Sequence, residues 1–225
     1  MTAPLLHLLE NLVDRCATIA GSVWSAPAPT TSGSHTPFAE TFAVATRRLG
    51  RARVETTAEE SKQLESSGLY RGRWEVDELA RIAVLVRAAS VLDGAALAML
   101  VDECYRHGDT REREAVLRAL AVLPEADWTV GIGVDACRSS VQPIFEAIAC
   151  ENPFPAARFP DLNFNQMVLK ALFTDVRLER IIGLDVRATL ELRRMADAYA
   201  SERRAAGRSV PPDIHRLTRP QEDTP

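Results

Sequence analysis

A chain of 225 residues can bury roughly 70% of the surface its unfolded form exposes, so a self-sufficient core is within reach. Its 46% hydrophobic and 26% charged residues exclude the disordered and fibrous classes. Against 31 acidic side chains stand 27 basic ones, a net charge of −4 that offers no field for gripping phosphate backbones and disfavours nucleic acid as a partner.

Arginine outnumbers lysine 25 to 2, and 33 alanines and 24 leucines dominate a chain with little β-branched alternation, which predicts an all-α fold. The first helix is predicted from Pro4 to about Ala20, with Leu5, Leu8, Leu9, Leu12, Cys16 and Ile19 as its apolar stripe. Glu10, Asp14 and Arg15 interrupt this stretch, so it reads as a mature N-terminal helix rather than a signal peptide. Residues 22–35, poor in large apolar groups apart from Trp24, predict a mobile loop. Thr36 followed by Pro37 opens a second helix anchored by Phe38, Phe42 and Leu49. Thr57 and Glu60 have capping-box spacing and open a short third one, and Tyr70 and Trp74 follow in a loop.

Between residues 76 and 92 the apolar positions form a stripe too wide for a surface helix, so this segment is predicted to be the central core helix. In the most apolar stretch, Ile82 to Val101, Arg87 and Asp93 argue against a membrane span. A helix from Ala95 to Arg106 should end at Gly108, and Asp109 with Glu112 repeats the capping-box spacing for the next one. Gly131-Ile132-Gly133 reads as a helix-entry turn. Residues 130–150 read as helix that Pro143 should kink or divide. Pro153, Pro155 and Pro160 forbid helix directly afterwards and hold Asn152, Phe154 and Phe159 extended. Helix resumes near Leu162, and a short successor carries Val176, Leu178, Ile181 and Ile182 to Gly183. Asp185 then caps a last long helix reaching about Ala206. The predicted architecture is one helical domain over residues 1–207, an irregular HEAT-like stack of antiparallel helices, with a partly disordered tail at 208–225.

The segment with the most unusual wording is the proline-rich connector after Cys150. Asn163, Gln166 and Lys170 share one edge of the following helix, while Phe164, Met167, Val168 and Leu172 share the apolar one. Asp161 or Asn163 could cap that helix, and free amides in its first turn would attract a carboxylate or phosphate, with Lys170 as a further charge. Caps, prolines after helices and a solvated lysine explain the same residues without any ligand.

The run CENPFPAARFPDLNFNQMVLKALF, residues 150–173, resembles the signature segment of EboA-type proteins, with one alanine more at Ala156 or Ala157. QPIFEAIACENP, residues 142–153, is similar to the same family. The resemblance implies an α-helical bacterial protein, encoded beside a UbiA-like membrane prenyltransferase and metal-dependent hydrolase-like proteins and concerned with moving or maturing a small metabolite. It carries over no catalytic residue. The matching positions Glu151, Asn152, Asp161, Asn165, Gln166 and Lys170, with Asn163 beside them, are the candidate ligand- or partner-binding residues.

Other constellations are weaker. Cys104 and His107, three apart, make only two ligands of a metal site, and a buried thiol near a helix-terminal histidine accounts for them. Cys150 beside Glu151 lacks the surroundings of a nucleophile. Four cysteines without a CxxC pair point to reduced thiols and a cytoplasmic setting, and the resemblance implies a peripheral place at the inner membrane through a partner. The arginine clusters 47–53 and 203–208 read as helix ends favoured by the dipole. The resemblance, together with the lack of an assembled catalytic set, therefore implies a noncatalytic helical adaptor or carrier that needs no cofactor or metal and binds a partner protein or a small, isoprenoid-like metabolite. Two alternatives stand beside it: an enzyme using Glu151, Asp161 and Lys170 as acid, base and charge clamp, and a ligand-free scaffold.

Overall fold

The computed structural model describes residues 2–19, 21, 24, 25, 27 and 34–218. Much of the predicted loop at 22–35 and the end of the predicted tail, 219–225, lie outside the described residues. The chain is all-α, with one two-stranded ribbon as its β structure among those residues. It forms two compact units, Met1–Ile148 and Ala149–Pro225.

In the first unit the elements are α1 (Thr2–Ile19), α2 (Thr36–Leu49), β1 (Arg53–Val54), α3 (Ala58–Ser66), β2 (Trp74–Glu75), α4 (Val76–Val91), α5 (Gly94–His107), α6 (Thr110–Ala119) and α7 (Asp127–Arg138), and α8 (Gln142–Ala149) runs across the boundary. Trp74, predicted to lie in a loop, pairs with Val54 in the antiparallel ribbon and is buried. α4 is the hub that the sequence predicts, with α1, α2, α5 and α6 packed against it. Leu79, Ile82, Val84, Leu85 and Val86 are fully buried, each contributing about 1.5–3 kcal/mol by leaving water.

The helix ends follow local chemistry. The Thr57 and Asp109 hydroxyl and carboxylate accept from the amides of Glu60 and Glu112, whose side chains reach back, so both predicted capping boxes form. Pro143 divides the predicted helix at 130–150 into α7 and α8, because its ring fits only the first turn of a new helix. α7 starts earlier than predicted, at Asp127, and Gly131-Ile132-Gly133 lies inside it rather than at its entry.

In the second unit, several predictions give way to the structure. Phe154–Arg158 is a one-turn helix, α9, where helix was not expected. Pro153 serves as its cap and Pro155 sits in its first turn, positions whose missing amide hydrogens cost nothing. Phe154 is therefore helical, while Phe159 is extended with ψ 139°. α10 (Asp161–Phe173) has Pro160 at its cap with no side-chain capping bond, so neither Asp161 nor Asn163 caps it. Leu178–Arg180 forms a single 3₁₀ turn in place of the short helix. Asp185 lies inside the four-residue α11 (Leu184–Arg187), and Thr189 caps α12 (Leu190–Ala205) by accepting from Leu192 N. A threonine directly before the helix outcompetes an aspartate five residues upstream.

α12 packs on α10, where the Phe173 and Tyr199 rings meet edge-on at 4.6 Å. Beyond it come a 3₁₀ turn at Pro212–Ile214 and α13 (His215–Thr218), with Ile214 and Leu217 buried in the segment read as a tail. Among the described residues no helix is long and apolar enough to cross a membrane.

Candidate functional site

The connector singled out by the sequence is held by two arginines. Glu151 adopts φ +49°, and Arg180 donates to both of its carboxylate oxygens at 2.7 and 2.9 Å. Arg187 donates to the carbonyl oxygens of Ala156 and Phe159 and to Asp161 Oδ1, and its guanidinium lies 4.8 Å from the Phe164 ring centroid. Neither arginine carried a sequence signal, because Arg180 lies 29 residues from Glu151 and Arg187 26 residues from Asp161, so only the chain path brings them to the connector.

The seven predicted residues are not alike in setting. Asn152 is buried and accepts from Phe154 N at 3.0 Å, fastening α9 to its approach. Asn163, Gln166 and Lys170 share the outer edge of α10, with Gln166 exposed, the other two half-buried and Lys170 engaged by neighbouring groups. Asn165 faces elsewhere, 3% exposed, with its Oδ1 unpaired. Glu151 and Asp161 each turn to their own arginine. An acid and a base already committed to guanidinium groups are poorly placed for proton transfer.

A second group of charges was hidden in the apolar reading of α4. Asp77, Glu78 and Arg81 are buried on the hub helix. Asp77 accepts from the Thr46 hydroxyl at 2.6 Å, from Arg81 at 3.0 Å and from Arg111 at 2.9 Å, tying α2, α4 and α6 together. Burial alone would raise the Asp77 pKa; the Thr46 hydroxyl, Arg111 and Arg81 outweigh it and hold the carboxyl below its ordinary range. Glu78 lies between Arg71 and Arg118, 2.5 and 2.7 Å away. A helix buried on all sides must bury its charges with partners, and that was the signal available in the sequence.

The cleft with the makings of a binding site lies between α5 and α7 and has a volume of about 570 Å³, within the ~300–1,000 Å³ typical of small-molecule sites. Successive α7 positions at helical spacing, 128, 131, 132, 135 and 138, line one wall. Tyr105 donates from its hydroxyl to Asp135 Oδ2 at 2.8 Å and so sets the final turns of α5 and α7 side by side. The cleft is consequently two-faced. Ala98, Met99, Trp128, Gly131 and Ile132 make an apolar half, and Asp102, Tyr105, Arg106, Asp135 and Arg138 a charged one. Met99 is 60% exposed, an uncommon position for a large apolar side chain.

Arg113 stacks over the Tyr105 ring at 4.7 Å and donates to its oxygen at 3.2 Å. Burial raises the Tyr105 pKa, Arg113 lowers it and Asp135 raises it again, leaving the hydroxyl protonated and donating. Arg106 donates to both oxygens of Asp102 at 2.7 and 2.8 Å. Gly131 opens the wall: a Cβ placed there would meet nothing within 4 Å.

Cys104 and His107 line a smaller cavity of about 110 Å³ with Glu103 and Glu112. Burial, then Glu103 and Glu112, push the Cys104 thiol up to about 12, so it is no nucleophile at neutral pH. Among the described residues no three His, Cys, Asp or Glu side chains are grouped to hold a metal ion.

The family model described as metabolite traffic protein EboA matches residues 23–219. No curated protein and no solved structure matches the chain.

Proposed function

The chain belongs to the EboA family of metabolite traffic proteins, and from that premise we propose that it is a noncatalytic helical carrier that holds a small metabolite in the cleft between α5 and α7. The observation that carries this reading is the division of a cleft of about 570 Å³ into an apolar half around Trp128 and Met99 and a charged half around Asp135 and Arg138. Such a cleft suits a molecule with a hydrocarbon or aromatic body and a polar end, which includes isoprenoid-like compounds. It holds no poised nucleophile or general base: Asp102 and Asp135 are hydrogen-bonded, and Tyr105 is held protonated. On the same reading the protein hands its cargo to the products of neighbouring genes, a UbiA-like membrane prenyltransferase first among them, working in the cytoplasm and at the inner membrane through that partner. Of the connector residues, Glu151, Asp161, Asn163, Gln166 and Lys170 are then a partner surface rather than a metabolite pocket, with the buried Asn152 and Asn165 beneath it.

The neutral fluorophore phenylnaphthylamine tests the cleft. Trp24 and Trp74 are buried and Trp128 is half-buried on the cleft wall, so saturable probe binding should quench Trp128 first. Gly131→Leu fills the apolar half and should abolish binding while the helix remains intact. Equal binding by wild type and Gly131→Leu, or no binding by wild type, overturns the reading.

A further inference from the structure

We infer that the charged half of the cleft recognises an acid, a carboxylate or phosphate on a free amphiphilic metabolite, through Arg138. This inference rests on the carrier reading and narrows its ligand class.

The lining charges balance in number, with Asp102 and Asp135 against Arg106 and Arg138, so a simple count favours neither a cationic nor an anionic ligand. The bonding breaks the tie. Asp102 already receives Arg106 on both oxygens, and Asp135 receives the Tyr105 hydroxyl. Among the described residues Arg138 has no hydrogen-bond or ion-pair partner, although Asp135 lies one turn earlier on the same helix at a spacing that would let the two pair. Asp135 turns instead to Tyr105, which Arg113 backs from behind. The last turn of α7 explains why a cation is tolerated at this end. Arg138 is exposed, so water meets its donors, and they are free to exchange that water for the oxygens of an anion lying in the cleft. A planar guanidinium meets a carboxylate or phosphate through two parallel hydrogen bonds, a match that an ammonium or neutral group cannot make. The same ligand would lay its body over Ile132 and Trp128, about two and three turns back along α7.

Two probes that share one body separate the acid from the body: anilinonaphthalene sulfonate carries the anion, and phenylnaphthylamine lacks it. Wild type should bind the sulfonate about tenfold more tightly, equivalent to about 1.4 kcal/mol. Arg138→Gln should erase that preference while leaving phenylnaphthylamine affinity unchanged, and Arg138→Lys should retain only part of it. Monomeric dodecanoate should displace the sulfonate, with Arg138→Gln weakening the competition, whereas phosphatidylglycerol vesicles should not displace it. Equal affinity for the two probes, or a preference that survives Arg138→Gln, overturns the acid while leaving the carrier reading in place. Displacement by vesicles overturns the free metabolite in favour of a lipid headgroup. Failure of Gly131→Leu to reduce binding of either probe overturns the carrier reading itself.

Discussion

Arg180 grips Glu151 by side chain and backbone together: its guanidinium donates to both carboxylate oxygens at 2.7 and 2.9 Å, and its carbonyl accepts from Glu151 N at 2.8 Å. The grip is needed because Glu151 sits at φ +49°, a region that costs a residue with a Cβ about 1–2 kcal/mol. Two substitutions separate strain from grip. Glu151→Ala keeps the strain and loses the pair, and should lower the unfolding free energy by about 1 kcal/mol. Glu151→Gly loses the pair and relieves the strain, and should lie about 1 kcal/mol above the alanine variant in urea denaturation. Equal midpoints for the two would mean that the left-handed backbone costs nothing there.

Gly108 is confined by space rather than by dihedral angle. It closes α5 with an ordinary φ of −70°, yet a Cβ there would lie 2.3 Å from the Cys104 carbonyl oxygen and 2.8 Å from Glu112 Cβ. Gly108→Ala therefore collides with the helix behind it and with the capping box ahead, and should cost about 1–3 kcal/mol in thermal or urea unfolding. A neutral effect would show that the α5–α6 joint yields more readily than its packing suggests.

The two capping boxes, the hub helix and the break at Pro143 were legible because each depends on residues within four positions of one another. α9 was not, because proline forbids a helix interior but suits a first turn, and the sequence does not say which of the two a given proline occupies. Arg180, Arg187 and the α5–α7 cleft were hidden for a different reason. Glu151 and Arg180 are 29 residues apart, and Tyr105 and Asp135 are 30 apart, so the chain path decides whether they meet. The stripe of Trp128, Ile132, Asp135 and Arg138 stood in the sequence at helical spacing, but taking Gly131 for a turn broke it.

The cysteines divide by accessibility. Cys104 and Cys150 are buried, and burial raises the Cys104 thiol to about 12. Cys16 and Cys137 are half-buried, with burial raising Cys16 above its ordinary value as well. Iodoacetamide at neutral pH should therefore label Cys16 and Cys137 in the native protein, slowly at Cys16, and reach Cys104 and Cys150 only in denaturant. Peptide mass spectrometry reads the four sites independently. Native labelling of Cys150 at the rate of a free thiol would reopen its candidacy as a nucleophile.

Acid should loosen the hub through Asp77. Thr46, Arg81 and Arg111 all donate to its carboxylate, and Asp77→Asn would leave the buried Arg81 and the half-buried Arg111 short of a counter-charge. Breaking a buried pair in this way typically costs about 3–5 kcal/mol, so Asp77→Asn should unfold at a markedly lower urea concentration at pH 7. The pH dependence follows from the direction of the shift. The folded-state pKa lies below the ordinary value of about 3.9, so the unfolded chain takes up the proton first as pH falls. The stabilisation is complete above that ordinary value and drains away as pH drops through the lower folded-state one. Wild type and Asp77→Asn should then converge in stability towards acid, while their separation stays constant from neutral pH down to about pH 5. A separation that instead narrowed between pH 8 and pH 6 would place the titrating group elsewhere in the network and remove Asp77 from its centre.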